Sequence, residues 1–397
     1  MPQMKATPQL GTWRQRLLVR AADLCLAPIG WLPQRRQPIR RILVLRLERI
    51  GDLLMTLDAL AQVRGAWPHA ELDLAVGSWN ASLARLVPGI TTIHEVDVPW
   101  LSRGERPTSW SAIVRAARRW PDRNYDLVIN FEPDIRSNFL AWLSGAPMRV
   151  GFSTGGGAPL LTRAIAFDPS RHVADNAQRL VRVAADDDGR LVGDIATVLR
   201  RLAPPASPRV DSRLAGLARP LVGVHVSGGR PSKQWHLDRF AEVARRLAAA
   251  TGGSIVLTGS ASDRTMTDEV AAALTGVPVV VLAGELDLPD TAAALSRLDV
   301  LVTGDTGPMH LAAAVDVPVV ALFGPSDPAR YGPRATQERI LRADLPCSPC
   351  GLVRLPPVRC RGHVPDCMDA ITSDRVVDAA LTLLADRRPV MRTVTAS

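Results

Sequence analysis

After a first stretch rich in arginine, the chain reads Ile42-Leu43-Val44-Leu45-Arg46, then a short loop from Leu47 to Asp52. A helical pattern follows through Leu53, Leu54, Leu57, Leu60 and Val63. Past the proline-rich Ala203 to Pro208 the same order begins again, with Leu221-Val222-Gly223-Val224-His225-Val226, a glycine-bearing loop and a helix from Leu237 to Ala250. Continuous Val/Ile/Leu runs of this length suit parallel strands covered on both faces. A strand, loop and helix that start twice predict two doubly wound α/β halves. At 397 residues the chain is also long enough for two domains.

Further strands are expected at Leu72 to Val76, Ile93 to Val96, Leu127 to Phe131 and near Arg149 to Gly151. In the second half they are expected at Ser254 to Leu257, Val279 to Leu282, Val300 to Thr303 and Val317 to Leu322. The expected boundaries are a basic segment over 1–40, a first domain over 41–203, a linker over 204–219 and a second domain over 220–372. A last helix and tail over 373–397 could cross back to the first domain. Parallel sheets of this type bind ligands at the carboxyl ends of their strands. The loops that carry unusual residues all follow expected strands, so they gather at those ends, which can face each other across a cleft.

Charge is unevenly placed. Residues 1–41 hold Lys5, Arg14, Arg16, Arg20, Arg35, Arg36, Arg40 and Arg41 against Asp23 alone, a net +7 of the chain's +9. With Trp13, Leu17, Leu18, Leu24, Leu26, Ile29, Trp31 and Leu32 between them, these residues fit an interfacial helix on an anionic membrane surface. The alternative is a solvated leader packed on the first domain. The remaining +2 argues against nucleic acid as a partner, and no run reaches the roughly 18 apolar residues of a spanning helix. Nor does the leader look like a secretory signal, because Arg20 and Asp23 interrupt its apolar part. A cytoplasmic location, peripheral to the inner face of the plasma membrane, is the expectation.

Four of the five cysteines, Cys347, Cys350, Cys360 and Cys367, are spaced C-x2-C-x9-C-x6-C with His363 nearby. Four thiolates can close a tetrahedral zinc site, and such a metal would be structural. Reduced thiols packed in a proline-rich loop account for the spacing as well.

Three loops carry candidate chemistry. Asp305-Thr306-Gly307-Pro308-Met309-His310 lies between a strand and a helix, where outward N–H groups can receive a phosphate, or Asp305 or Thr306 can simply cap the helix. Ser227-Gly228-Gly229-Arg230-Pro231-Ser232-Lys233 combines two glycines that permit close backbone approach with two cations suited to phosphate. It is neither a Walker A nor a dinucleotide fingerprint. His225 borders this loop and is either a ligand contact or a satisfied interior histidine. Gly259 ends the next strand. In the first half, Asp52 follows Gly51 at a helix start, where it can act as a general base or as a cap. Arg46, Arg49 and Arg136 around that edge would attract an acidic acceptor such as a charged glycan, or are solvated arginines.

Taken together, Arg-Ile-Gly-Asp at 49–52, Pro-Ser-Lys-Gln-Trp at 231–235, Gly-Asp-Thr-Gly-Pro-Met-His at 304–310, Leu-Phe-Gly-Pro-Ser at 322–326 and the cysteine cluster resemble glycosyltransferase family 9. That is the family of the lipopolysaccharide heptosyltransferases, and the resemblance runs from about Arg41 to about Leu384. It implies a GT-B fold and metal-independent, inverting transfer of a sugar from a nucleotide donor, most simply heptose from ADP-heptose, to a lipid-anchored glycan. It also implies Asp52 as general base, Lys233 as the donor-phosphate lysine, and Asp305, Thr306, Gly307 and His310 as the donor loop. One departure is visible. Heptosyltransferases tend to carry an acid soon after the glycine that ends the second strand of the donor domain, whereas Gly259 is followed by Ser260 and Ala261, with Asp263 the first acid. The competing functions are a nucleotide-sugar epimerase or hydrolase on the same fold, a non-catalytic glycan-binding or assembly protein, and a metal-centred redox protein.

Overall fold

The structure, a computed structural model, describes residues 13–28, 38–98, 100, 109–188 and 202–386. Lys5, Ile29, Trp31, Leu32, Arg35 and Arg36, part of the expected membrane segment, lie outside the described residues. The chain divides into two compact units, Met1–Ala203 with Ala329–Tyr331, and Pro204–Pro328 with Gly332–Ser397.

In the first unit six parallel strands, β1 (Arg41–Leu45), β2 (Glu71–Val76), β3 (Thr92–Glu95), β4 (Leu127–Asn130), β5 (Met148–Phe152) and β6 (Arg163–Ile165), form one sheet in the order β3-β2-β1-β4-β5-β6. The second unit holds β7 (Leu221–His225), β8 (Ser254–Thr258), β9 (Val279–Val281), β10 (Val300–Gly304), β11 (Val319–Phe323) and β12 (Glu338–Arg342) in the order β12-β11-β10-β7-β8-β9. Numbered from each unit's own first strand, both sheets have the order 3-2-1-4-5-6. That is the doubly wound arrangement, and its switch point falls between β1 and β4 in one unit and between β7 and β10 in the other.

The runs that predict strands are buried for the reason given: β7, β8, β10 and β11 are buried along their whole length, as parallel strands with helices on both faces must be. In the second unit Val222, Val224, Ile255, Leu257 and Val302 pack with Trp235, Phe240 and Leu247. In the first, Leu43, Leu45 and Val128 pack with Trp120, Tyr125 and Leu140.

Several expectations need correction. The helix expected through Leu53 to Val63 is two helices, Ile50–Leu54 and Leu57–Ala66, with Met55 and Thr56 between them. Within the linker, residues Pro208–Leu214 form a helix capped by Ser207, whose hydroxyl accepts from the Val210 N–H at 3.2 Å. Finally, Ser373–Ala385 stays on the second unit, where Val376, Val377, Ala380 and Leu383 join the core, instead of crossing back.

Candidate active site

Two loops flank the switch point of the first unit. The one after β1 is fixed from below: the Trp79 indole and the Asn80 amide both donate to the Glu48 carbonyl, at 3.0 and 2.8 Å. Gly51 and Asp52 lie in the first turn of the helix Ile50–Leu54, so Asp52 is not that helix's N-cap. Its Oδ2 instead reaches back to the Arg49 N–H at 3.3 Å, while Oδ1 lies 3.5 Å from Arg46 Nη2. A quarter of the Asp52 side chain is exposed, at 24%, which leaves the carboxylate open to a substrate hydroxyl.

Arg46 is not where an acceptor could meet it. Its side chain is 3% exposed, and its donors are spent inside the protein: Nε on the Asp52 carbonyl at 3.0 Å and Nη1 on the Phe131 carbonyl at 3.2 Å. The expectation of Arg46 as an acceptor contact is therefore corrected, because a guanidinium this deep must be fully paired. Nη1 also lies 3.5 Å from Glu132 Oε1. Glu132, from the loop after β4, is buried, and the same oxygen accepts from the Leu47 and Glu48 amides at 2.8 and 3.1 Å. Burial disfavours the Arg46 charge, but the carboxylates of Glu132, Asp52 and Glu48 outweigh it and push its pKa up. Burial also pushes the Glu132 carboxyl up, opposed by Arg46 and reinforced by Asp52. Glu132 went unremarked in the sequence. The signal was an acid directly after the strand that pairs with β1, at the switch point.

Arg136 is also paired within the protein. Asp134 holds its Nε at 2.8 Å and its Nη2 at 2.5 Å, and the guanidinium stacks 4.2 Å from the Trp100 ring centroid. It is partly exposed and presents a planar, aromatic-backed surface, with its charge shared with Asp134. Arg49 is exposed in the loop after β1.

The second unit repeats the arrangement with different chemistry. The loop after β7 is tied down by Gln234, which accepts from the Gly228 N–H at 2.9 Å and donates to the Val226 and Trp235 carbonyls, both at 2.8 Å. A Cβ on Gly228 would sit 2.6 Å from the Lys233 carbonyl, and Gly229 has φ +65°, so this turn tolerates only glycine comfortably. Ser227 is buried, accepting from the Gly229 N–H at 3.2 Å. Arg230 is half-buried on the loop.

The Lys233 ammonium crosses to the loop after β10, where it donates to the Asp305 carbonyl and lies 3.2 Å from the Asp305 carboxylate. The two loops expected to share a sheet edge do so, and Thr306 reaches to within 3.9 Å of where a Gly229 Cβ would stand. Thr306 is the N-cap of the helix Gly307–Ala314 but makes no side-chain cap bond. First-turn amides of a helix have no partner within it, and the dipole makes them an anion site. Asp305 stabilises Lys233 and fixes its own loop through its N–H to Leu322, at 3.2 Å. His310 is buried in that helix.

His225 is an interior residue. Its Nδ1 meets the Thr258 carbonyl at 3.1 Å, and burial lowers its pKa against the opposing influence of Asp263 and Thr258, which favours the neutral imidazole. Gly259 packs against Asp263, with a hypothetical Cβ only 3.0 Å away, and Asp263 closes the following turn by accepting from the Ser260 N–H and hydroxyl at 2.8 and 2.6 Å. The first acid after Gly259 is thus committed to the turn.

The zinc expectation finds no support. Cys347 and Cys350 are exposed, Cys360 is half-buried and Cys367 is buried, all as free thiols. Among the described residues no three His, Cys, Asp or Glu side chains come together as a metal site. Burial, and then the nearby Cys350, Cys347 and Cys360, push the Cys367 thiol up to about 11. Among the described residues, too, no helix is long and apolar enough to cross a membrane.

The chain is similar to lipopolysaccharide heptosyltransferase 1 of Pseudomonas aeruginosa, 28% identical over 321 residues that span 78% of this chain and 86% of the relative. It is 27% identical to lipopolysaccharide heptosyltransferase 2 of Salmonella typhimurium, over 76% of this chain and 88% of that one. Among solved structures, a family 9 glycosyltransferase of Veillonella parvula superposes with a TM-score of 0.73 at 27% identity, covering 89% of this chain and 99% of the other. An ADP-heptose lipopolysaccharide heptosyltransferase II of E. coli superposes with a TM-score of 0.69 at 24% identity, covering 87% and 98%, and shares the fold. The two doubly wound sheets are accordingly those of a GT-B fold. The profile of glycosyltransferase family 9 (heptosyltransferase) matches residues 113–353, more than half of the sequence, and the chain belongs to that family of glycosyltransferases.

Proposed function

We propose that this glycosyltransferase transfers a heptose from an ADP-activated donor to the core of a lipopolysaccharide or a similar lipid-anchored glycan, by a single displacement that inverts the anomeric carbon. The relatives named above support the sugar and the acceptor class. The observation that carries the donor half is Lys233 held beside the Thr306–Gly307 helix start by Asp305. An ammonium and a helix-start dipole at one strand edge are built to take up the charge that develops on a leaving diphosphate, with no metal needed for that task. Asp52 is assigned as the general base that removes the proton of the acceptor hydroxyl as its oxygen bonds to the sugar. Arg49, and Arg136 with its Trp100 backing, are assigned to acidic or sugar groups of the acceptor.

The first helix adds a membrane reading, with the enzyme working on the cytoplasmic face. In Trp13–Leu26, Asp23 turns inward to accept from the Gly157 N–H at 2.6 Å, and Val19 fills the space beside Gly156. Leu17, Leu18 and Leu24, 62, 68 and 76% exposed, point the other way together with exposed Arg20. With the one acid of the segment turned in, the outward face is apolar and cationic, as an anionic bilayer requires.

A panel of ADP-, UDP-, GDP- and dTDP-sugars tests the donor assignment by thermal shift and by transfer to a lipopolysaccharide acceptor. Binding and turnover with the ADP-sugar above the others are expected. Release of nucleotide at full rate without acceptor would instead indicate a hydrolase or epimerase.

A further inference from the structure

The buried charges behind Asp52 form a chain: Glu132 Oε1 lies 3.5 Å from Arg46 Nη1, and Arg46 Nη2 lies 3.5 Å from Asp52 Oδ1. Three donors converge on Glu132 Oε1, the Leu47 and Glu48 amides and Arg46, which is the environment of a carboxylate rather than of a carboxylic acid. Arg46 also ties the chain to the backbone on both sides, through the Asp52 and Phe131 carbonyls. Glu132 is therefore the counter-charge of the guanidinium that grips the Asp52 carboxylate.

We infer that Glu132 is a positioning residue for transfer: by sharing the charge of Arg46, it keeps the Asp52 carboxylate in place and basic enough to accept the acceptor's proton. This rests on the reading of Asp52 as the base. A lone buried arginine would direct its whole charge at Asp52. A second carboxylate on the far side of the same arginine weakens that grip without loosening the geometry. The other charges in reach are the Glu48 carboxylate, which also acts on Arg46, and exposed Arg49, whose N–H Asp52 accepts. Neither replaces Glu132, because only Glu132 is buried against the guanidinium.

The replacement Glu132→Gln keeps an oxygen for the two amides and removes the charge. The acidic limb of the kcat–pH profile should move to lower pH by about one unit, and the plateau kcat should fall roughly 3–10-fold as the base weakens. Donor Kd should not change. Glu132→Asp, which restores the charge, should return the limb toward its original position. An unmoved limb in a folded Glu132→Gln protein overturns the inference.

A second measurement does not depend on that variant folding. If the chain is coupled, Asp52→Asn must shift the titration of the Glu132 carboxyl to lower pH, followed by carbon NMR, since coupling is reciprocal. A Glu132 titration identical with and without the Asp52 charge overturns it as well. Full turnover by Asp52→Asn would reject the base assignment, while the NMR result would still report whether the two carboxylates sense each other.

Discussion

The two units share one strand order and place their working loops at the same switch point, yet they fill that point with opposite materials. After β1 and β4 the first unit sets ionisable side chains, Arg46 and Glu132, in the interior behind Asp52. After β7 and β10 the second sets glycine backbone and a helix start, with one lysine and one aspartate at the rim. The contrast fits the two tasks proposed for them. A proton-accepting carboxylate needs its basicity adjusted by fixed nearby charges, whereas a diphosphate needs close approach by amides and a compensating cation.

If that division of labour is right, damage on the two sides separates cleanly. Asp52→Asn should lower kcat by about 10²–10⁴-fold while donor affinity by calorimetry stays within experimental error. Lys233→Ala should do the reverse in kind, weakening donor binding roughly 10–100-fold, the ~1.5–3 kcal/mol of a charged hydrogen bond. Residual kcat at saturating donor should fall less than in the Asp52 variant. Gly228→Ala places a methyl 2.6 Å from the Lys233 backbone, so it should destabilise the protein by about 1–3 kcal/mol in denaturant unfolding and weaken the donor. Smallest of all, thiol alkylation at neutral pH should label exposed Cys347 and Cys350 well before Cys367, whose buried thiol is held near 11.

The pH dependence of stability sharpens the second unit further. The His225 pKa is lowered by folding, so its neutral form is favoured in the native state. Stability tied to it is present above the unfolded value of about 6.5 and is lost as pH falls toward the folded value. A melting temperature that declines on acidification below about 6.5, with a smaller decline in His225→Gln, is the expected outcome. Equal declines in the two proteins would assign the effect to other groups.

How legible this was in the sequence depended on what each residue type advertises. Most of the buried strands announce themselves as apolar runs, and ten of the twelve strands among the described residues overlap the expected ones. The two that were missed, β6 (Arg163–Ile165) and β12 (Glu338–Arg342), are the equivalent outer strands of the two sheets. An edge strand has one neighbour and a partly wet face, so its arginines and glutamate break the apolar pattern. The helix Pro208–Leu214 has a start signal in Ser207-Pro208, but it is too short to show an apolar period. At the site, glycines and Lys233 could be read from their spacing. Arg46 was misjudged, since an arginine at the end of an apolar strand looks solvent-directed until its partner Glu132, 86 residues away, is known to be beside it. Long-range pairing of buried charges leaves no periodicity to read.

A single displacement with Asp52 taking the proton is tested most directly by the stereochemistry of the product. Proton NMR of the first-formed glycoside should show the anomeric configuration opposite to that of the donor sugar. A product that keeps the donor's configuration would require a two-step or same-face path and would contradict the role given to Asp52.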